Sequence, residues 1–231
     1  MIVNGNSAIT HAQCTVAAHH MFESVCALLH FVSLEAHILL MPPPQLKDPK
    51  RAVAFTYGRL TFLTVQSNLV CFVYYASSMV APSSELLWRV HPIVFALGFA
   101  LTPLYYGLDH FTPEKKRIDA KMRKGYPYVD YGNHLEHALA LPAALLHAVS
   151  TPRAAPASSD VLVFCGGYGI AYFILVLLLG KWRGNAWVYP VCDELERDLG
   201  PMGPYLLGLV VTLAFVALGF ADQLLLSGSS S

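Results

Sequence analysis

VLVFCGGYGIAYFILVLLLG, Val161–Gly180, contains no charged residue and is about as long as a helix must be to cross a hydrocarbon core of roughly 30 Å. Four more uncharged stretches accompany it: Leu60–Ser84, Val90–Leu108, His137–Pro152 and Tyr205–Ala221. With 13% charged and 55% hydrophobic residues, against about 25% charged in an ordinary soluble domain, the chain reads as a membrane protein rather than a water-soluble one. A sixth span is expected at 12–40, where Glu23, Glu35 and several histidines interrupt an otherwise apolar segment. Met1–Ser7 carries no positive charge and is followed by no cleavage-type site, so this segment is read as a retained helix, not a signal peptide.

The resulting expectation is an all-α polytopic bundle of about six transmembrane helices, forming a single domain over residues 1–231. The helices are expected at 12–40, 53–81, 87–110, 132–150, 160–181 and 204–226. Breakers agree with these limits: Pro42-Pro43-Pro44, Pro82, and Pro152 with Pro156. Twelve of the basic residues then gather on one face, six of them between Lys115 and Lys124, whereas the other face takes Arg89 and Arg153. The positive-inside rule makes the first face, with the 1–2, 3–4 and 5–6 connections, cytoplasmic. The basic segment 111–132 reads as a juxtamembrane stretch attracted to anionic lipid. Zero formal net charge, with no basic run interleaved with aromatics, argues against nucleic acid. None of the five cysteines forms a CxxC pair, so neither a disulfide framework nor a thiolate metal site is indicated.

Polar residues inside the spans carry the functional information, because an ionisable group near the centre of a membrane helix costs about 2.5–3.5 kcal/mol and so faces the bundle interior. Tyr57, Thr61, Thr64, Asn68 and Cys71 recur at helical spacing, as do His19, Glu23, Cys26, His30, Ser33 and His37. Asn133 and His137 are i, i+4 neighbours, with His134 beside them and His147 further along. At about 1.5 Å per residue, Thr61 is expected roughly 12 Å and His137 roughly 7 Å below the same face. Asp109 and Trp187-Val188-Tyr189-Pro190 fall at that face too. Packing alone also accounts for such stripes, since threonine and asparagine commonly join membrane helices.

Several of these residues, in order and spacing, resemble a known family. Leu60-Thr61-Phe62, the acid Asp109, Asn133-His134-x-x-His137, Leu141-Pro142 and Trp187-Val188-Tyr189-Pro190 are similar to motifs of the androgen-induced and androgen-dependent multipass proteins, which hydrolyse fatty acid esters of hydroxy fatty acids. The resemblance covers about residues 55–215. It implies an intramembrane hydrolase of the endoplasmic reticulum or plasma membrane, with Thr61 as nucleophile, His137 as its base, a lipid ester as substrate and no cofactor or metal. A threonine hydroxyl needs such a base to attack an ester at neutral pH. Supporting roles are expected for Asn133 or Asn68 as oxyanion donors, Asp109 as a group orienting an imidazole, and His134, Trp187 and Tyr189 around the substrate. The chain differs from the family pattern at Ala138, where a threonine is usual, and in the two residues Asn185-Ala186 between Gly184 and Trp187. The competing readings are a multi-histidine metal or haem oxidoreductase and a non-enzymatic transporter or scaffold.

Overall fold

A computed structural model describes residues 5–43, 58–150, 155–182 and 186–228, and among these every regular element is helical. The helices are α1 (Gly5–Leu39), α2 (Leu63–Val80), α3 (Glu85–Leu104), α4 (Pro113–Met122), α5 (Val129–Ala138) and α6 (Ala140–Ser150). Next comes α7, one continuous helical run: Ser158–Val161, a π-helical turn at Leu162–Gly166, Gly167–Val176, and a second π-helical turn at Leu177–Trp182. Helices α8 (Pro190–Leu199) and α9 (Gly203–Gly228) complete the chain.

Four helical segments are long and apolar enough to cross a membrane: His20–Leu39, Glu85–Leu108, Ser158–Gly180 and Gly203–Ser227. They correspond to four of the six expected spans. The other two are present as helices of different character. Helix α2 carries Gln66, Ser67 and Asn68, which lower its apolarity. The expected span 132–150 is divided into α5 and α6 at Leu139. Pro142, three residues on, has no N–H to give the carbonyl of Ala138 and its ring crowds that turn, which accounts for the break.

The beginning of α2 also differs from expectation. Gly58 takes φ +57°, a left-handed conformation that side chains resist, and Gly58–Thr61 then forms a 3₁₀ turn before the extended Phe62. Thr61 therefore precedes α2 and does not share a helical stripe with Thr64, Asn68 and Cys71; Tyr57 lies outside the described residues. The segment 111–132 holds a helix as well. Thr112 caps α4 by accepting from the Lys115 N–H at 3.2 Å, and Pro113 occupies the first turn, where its missing donor costs nothing.

Helix α1 packs along α2 and against α5 and α6, while α3 packs against α2, α6 and α9, and α7 lies on α9. Their common core includes Cys26, Cys71, Tyr75, Leu97, Ala143 and Phe215. Small residues permit the close approaches: a Cβ added at Gly98 would meet the Ala144 Cβ at 3.0 Å, and one at Gly169 would meet the Thr212 Cα at the same distance. Ile170 and Ile174 on α7, with Leu206, Leu209, Val210 and Leu213 on α9, are exposed. Such a continuous apolar exterior suits lipid, not water.

Candidate functional site

The start of α2 and the last turn of α5 meet at a hydroxyl–imidazole pair. Thr64 Oγ1 lies 2.9 Å from His137 Nε2, and His137 Nδ1 lies 2.6 Å from the backbone oxygen of Asn133. A carbonyl only accepts, so Nδ1 carries the proton it donates, and Nε2 is left as the acceptor for the Thr64 hydroxyl. This is the tautomer a general base requires. The imidazole is further fixed by Tyr105, stacked on it with centroids 3.7 Å apart and planes 12° from parallel. The Thr102 hydroxyl donates to the His137 carbonyl.

Thr64 and His137 line a cavity of about 150 Å³ whose other walls include Leu63, Tyr105, Tyr172, Phe173, Tyr189 and Leu207. It is overwhelmingly apolar, in keeping with a hydrocarbon occupant. A second cleft of about 540 Å³, lined by His110, Lys116, Asp119, Asn133 and His134 among others, shares Tyr105 with it.

The other expected site residues occupy distinct places. Thr61 is fully buried at the end of the 3₁₀ turn; its Oγ1 has no hydrogen-bond partner among the described residues, and its carbonyl accepts from Tyr172 Oη at 3.1 Å. His137 Nε2 is thus joined to Thr64 and not to Thr61. Tyr189 is part of the same wall, its hydroxyl 2.5 Å from that of Tyr172 and accepting from the Leu63 N–H at 2.9 Å, which satisfies an open donor at the start of α2. Trp187 is buried nearby and donates to Glu196 at 3.0 Å.

Asn68 donates from one amide to the carbonyls of Thr64 and Glu136, both at 3.0 Å, while its Oδ1 meets His30 Nδ1 at 2.8 Å. Its amide hydrogens are committed to backbone, joining α2 to α5 and through His30 to α1. Asn133 is buried and donates to Asp119 at 3.2 Å. His134 is exposed, with Nδ1 2.7 Å from the Tyr106 hydroxyl. The Asp109 side chain lies outside the described residues.

Glu136 was not among the expected site residues, because adjacent helical positions point about 100° apart. Its long side chain nevertheless curls beside the imidazole: Oε1 lies 3.5 Å from His137 Nδ1, and Oε2 is bonded to His37 Nδ1 from α1. Arg59 donates to the carbonyls of His37 and, at 2.9 Å, of Met41, fastening the end of α1 to the 3₁₀ turn. Partial burial lowers the Arg59 pKa from its ordinary value, and the negative charge of Glu136 opposes that shift.

The histidine stripe of α1 thus divides. His30 and His37 join the site, whereas Glu23 joins a second chain of groups: Glu23 to His147 at 2.8 Å, His147 to His91 at 3.1 Å, and His91 to Asp222 at 2.7 Å. The His19 side chain lies outside the described residues. Among the described residues no group of three or more His, Cys, Asp or Glu is placed to hold a metal ion.

A helical bundle with four apolar spans, a lipid-type exterior and polar side chains gathered inside defines an integral membrane protein. Residues 25–221 match the family described as FAR-17a/AIG1-like protein, the androgen-induced gene 1 family, and the chain belongs to it. No curated protein and no solved structure gives a match.

Proposed function

We propose that this protein is an intramembrane hydrolase of long-chain esters, of the fatty acid ester of hydroxy fatty acid type, with His137 as its general base. The observation carrying the proposal is the Thr64–His137–Asn133 carbonyl alignment at the wall of an apolar cavity. Thr64 Oγ bonds to the ester carbonyl carbon as His137 Nε2 takes its proton. The tetrahedral adduct then collapses, the carbon–oxygen bond to the alcohol breaks, and Nε2–H protonates the departing oxygen. Water, giving its proton to the same nitrogen, attacks the acyl-threonine; the acid leaves and the Thr64 hydroxyl is restored.

A second reading keeps His137 as base and makes Thr61 the nucleophile, as the resemblance implies. It is favoured by the buried Thr61 Oγ1, unpartnered among the described residues, since a native structure rarely leaves such a group unsatisfied without reason. The same reading puts the protein in the endoplasmic reticulum or plasma membrane, its basic connections facing the cytoplasm, with membrane lipid as its immediate environment.

The deciding experiment is labelling of purified protein by a hydroxyl-directed fluorophosphonate, together with ester hydrolysis, for wild type, Thr64→Val and Thr61→Val. Loss of labelling in Thr64→Val assigns the nucleophile to Thr64; loss in Thr61→Val alone assigns it to Thr61. Undiminished labelling and turnover in both variants would falsify the threonine mechanism.

A further inference from the structure

We infer that Glu136, held by His37, is the positioning acid of this site, its charge stabilising the imidazolium that forms on His137. This rests on the hydrolase reading above and adds to it a residue outside the expected set. A triad acid ordinarily does two things: it fixes the tautomer of the base and it compensates the positive charge the base acquires. Here the two tasks are divided. The Asn133 carbonyl, at 2.6 Å, fixes the tautomer but has no net charge. The Glu136 carboxylate, 3.5 Å from the same Nδ1 and nearly inaccessible to solvent, supplies the charge.

The surroundings hold that carboxylate in place. Oε2 is occupied by His37 Nδ1, so rotation of the carboxylate would break a buried bond to α1. The backbone carbonyl of Glu136 accepts from Asn68, and that of His37 accepts from Arg59. Among the described residues the charged or titratable groups facing Glu136 include His37 from α1, Arg59 from the 3₁₀ turn and His137 from its own helix; Tyr105, in the π-helical turn Tyr105–His110 that follows α3, covers His137. In so apolar a setting an uncompensated imidazolium is expensive, and a carboxylate fixed in advance lowers that cost without reorganising during the reaction. Electrostatic help of this kind acts on the chemical step, leaving substrate binding nearly unaffected.

Glu136→Gln tests the inference, because it removes the charge while keeping the shape and an oxygen that can still accept from His37. The expected result is a kcat lower by on the order of 100-fold with KM within about twofold, a smaller loss than for a triad acid bonded directly to its histidine. Glu136→Asp, which retains the charge but sets it back by one methylene, should recover part of that loss. In a His137→Ala background Glu136→Gln should change the residual rate by less than about twofold, since the two residues act as one unit. Equal losses in the Gln and Asp variants, or an undiminished effect without His137, would mean a packing role and overturn the inference. A wild-type protein that neither hydrolyses esters nor takes the probe removes the hydrolase reading itself; an active wild type matched by Glu136→Gln removes this inference alone.

Discussion

Two chains of carboxylates and imidazoles run through the interior of this bundle, and their surroundings differ more than their composition. One joins Thr64, His137, Glu136 and His37; the other joins Glu23, His147, His91 and Asp222 across α1, α6, α3 and α9. The first includes a hydroxyl and borders an apolar cavity. The second is at most 1% exposed and is packed by Tyr74 and Tyr75 with ring centroids 4.9–5.9 Å from its histidines. None of its four members lines either cavity described above. The comparison teaches that charge inside a membrane bundle is insufficient evidence of chemistry. A reacting group needs a base in the right tautomer and space for a substrate, and of the two chains it is the first that borders a cavity described above.

The contrast can be broken or sharpened by substitution. The largest effect is expected for His137→Ala, which removes the base and should lower ester hydrolysis per folded molecule by about 10⁴-fold. Wild-type turnover in that variant would erase the distinction between the two chains. Asp222→Ala should act on stability instead: removing the carboxylate bonded to His91 Nδ1 is expected to cost about 1–3 kcal/mol, read as a lower melting temperature in detergent. Hydrolysis per folded molecule should persist, and a selective loss of turnover would show that the far chain takes part in the reaction. The smallest effect is expected at the cavity wall. A Cβ at Gly208 would fall 2.4 Å from the Phe173 ring, so Gly208→Ala should push that ring into the cavity. The ratio of kcat/KM for long-chain over short-chain esters should then fall by roughly tenfold, the scale set by one or two methylenes in an apolar pocket.

Much of the bundle was readable before any coordinates. Helices α7 and α9 announce themselves as long uncharged runs, and the limits expected for them, 160–181 and 204–226, lie within two residues of those observed. The site was less legible, for reasons that particular residues explain. Treating Thr61 and Thr64 as members of one helical stripe assumes a helix through both; the left-handed Gly58 and the 3₁₀ turn after it separate them, and no periodicity reports a backbone angle. Cβ directions at adjacent helical positions argue against a contact between Glu136 and His137, whereas the reach of the carboxylate decides it. Its pairing with His37, 99 positions away, depends on how α1 lies against α5 and leaves no local trace. Helix α4, by contrast, did carry a signal: Thr112 followed by Pro113 is a helix start, hidden among the lysines that suggested a basic juxtamembrane stretch.

The stacked Tyr105 belongs to two compartments at once, for it walls both the apolar cavity and the larger polar cleft. Ester hydrolysis consumes one reactant that dissolves in oil and another that does not. In the proposed reaction the first suits the apolar cavity that His137 lines, and the second suits the cleft lined by charged and polar side chains on which Tyr105 also borders. The acyl chain of the proposed intermediate then has an oily compartment to itself, with the charged cleft set beside it across one aromatic ring.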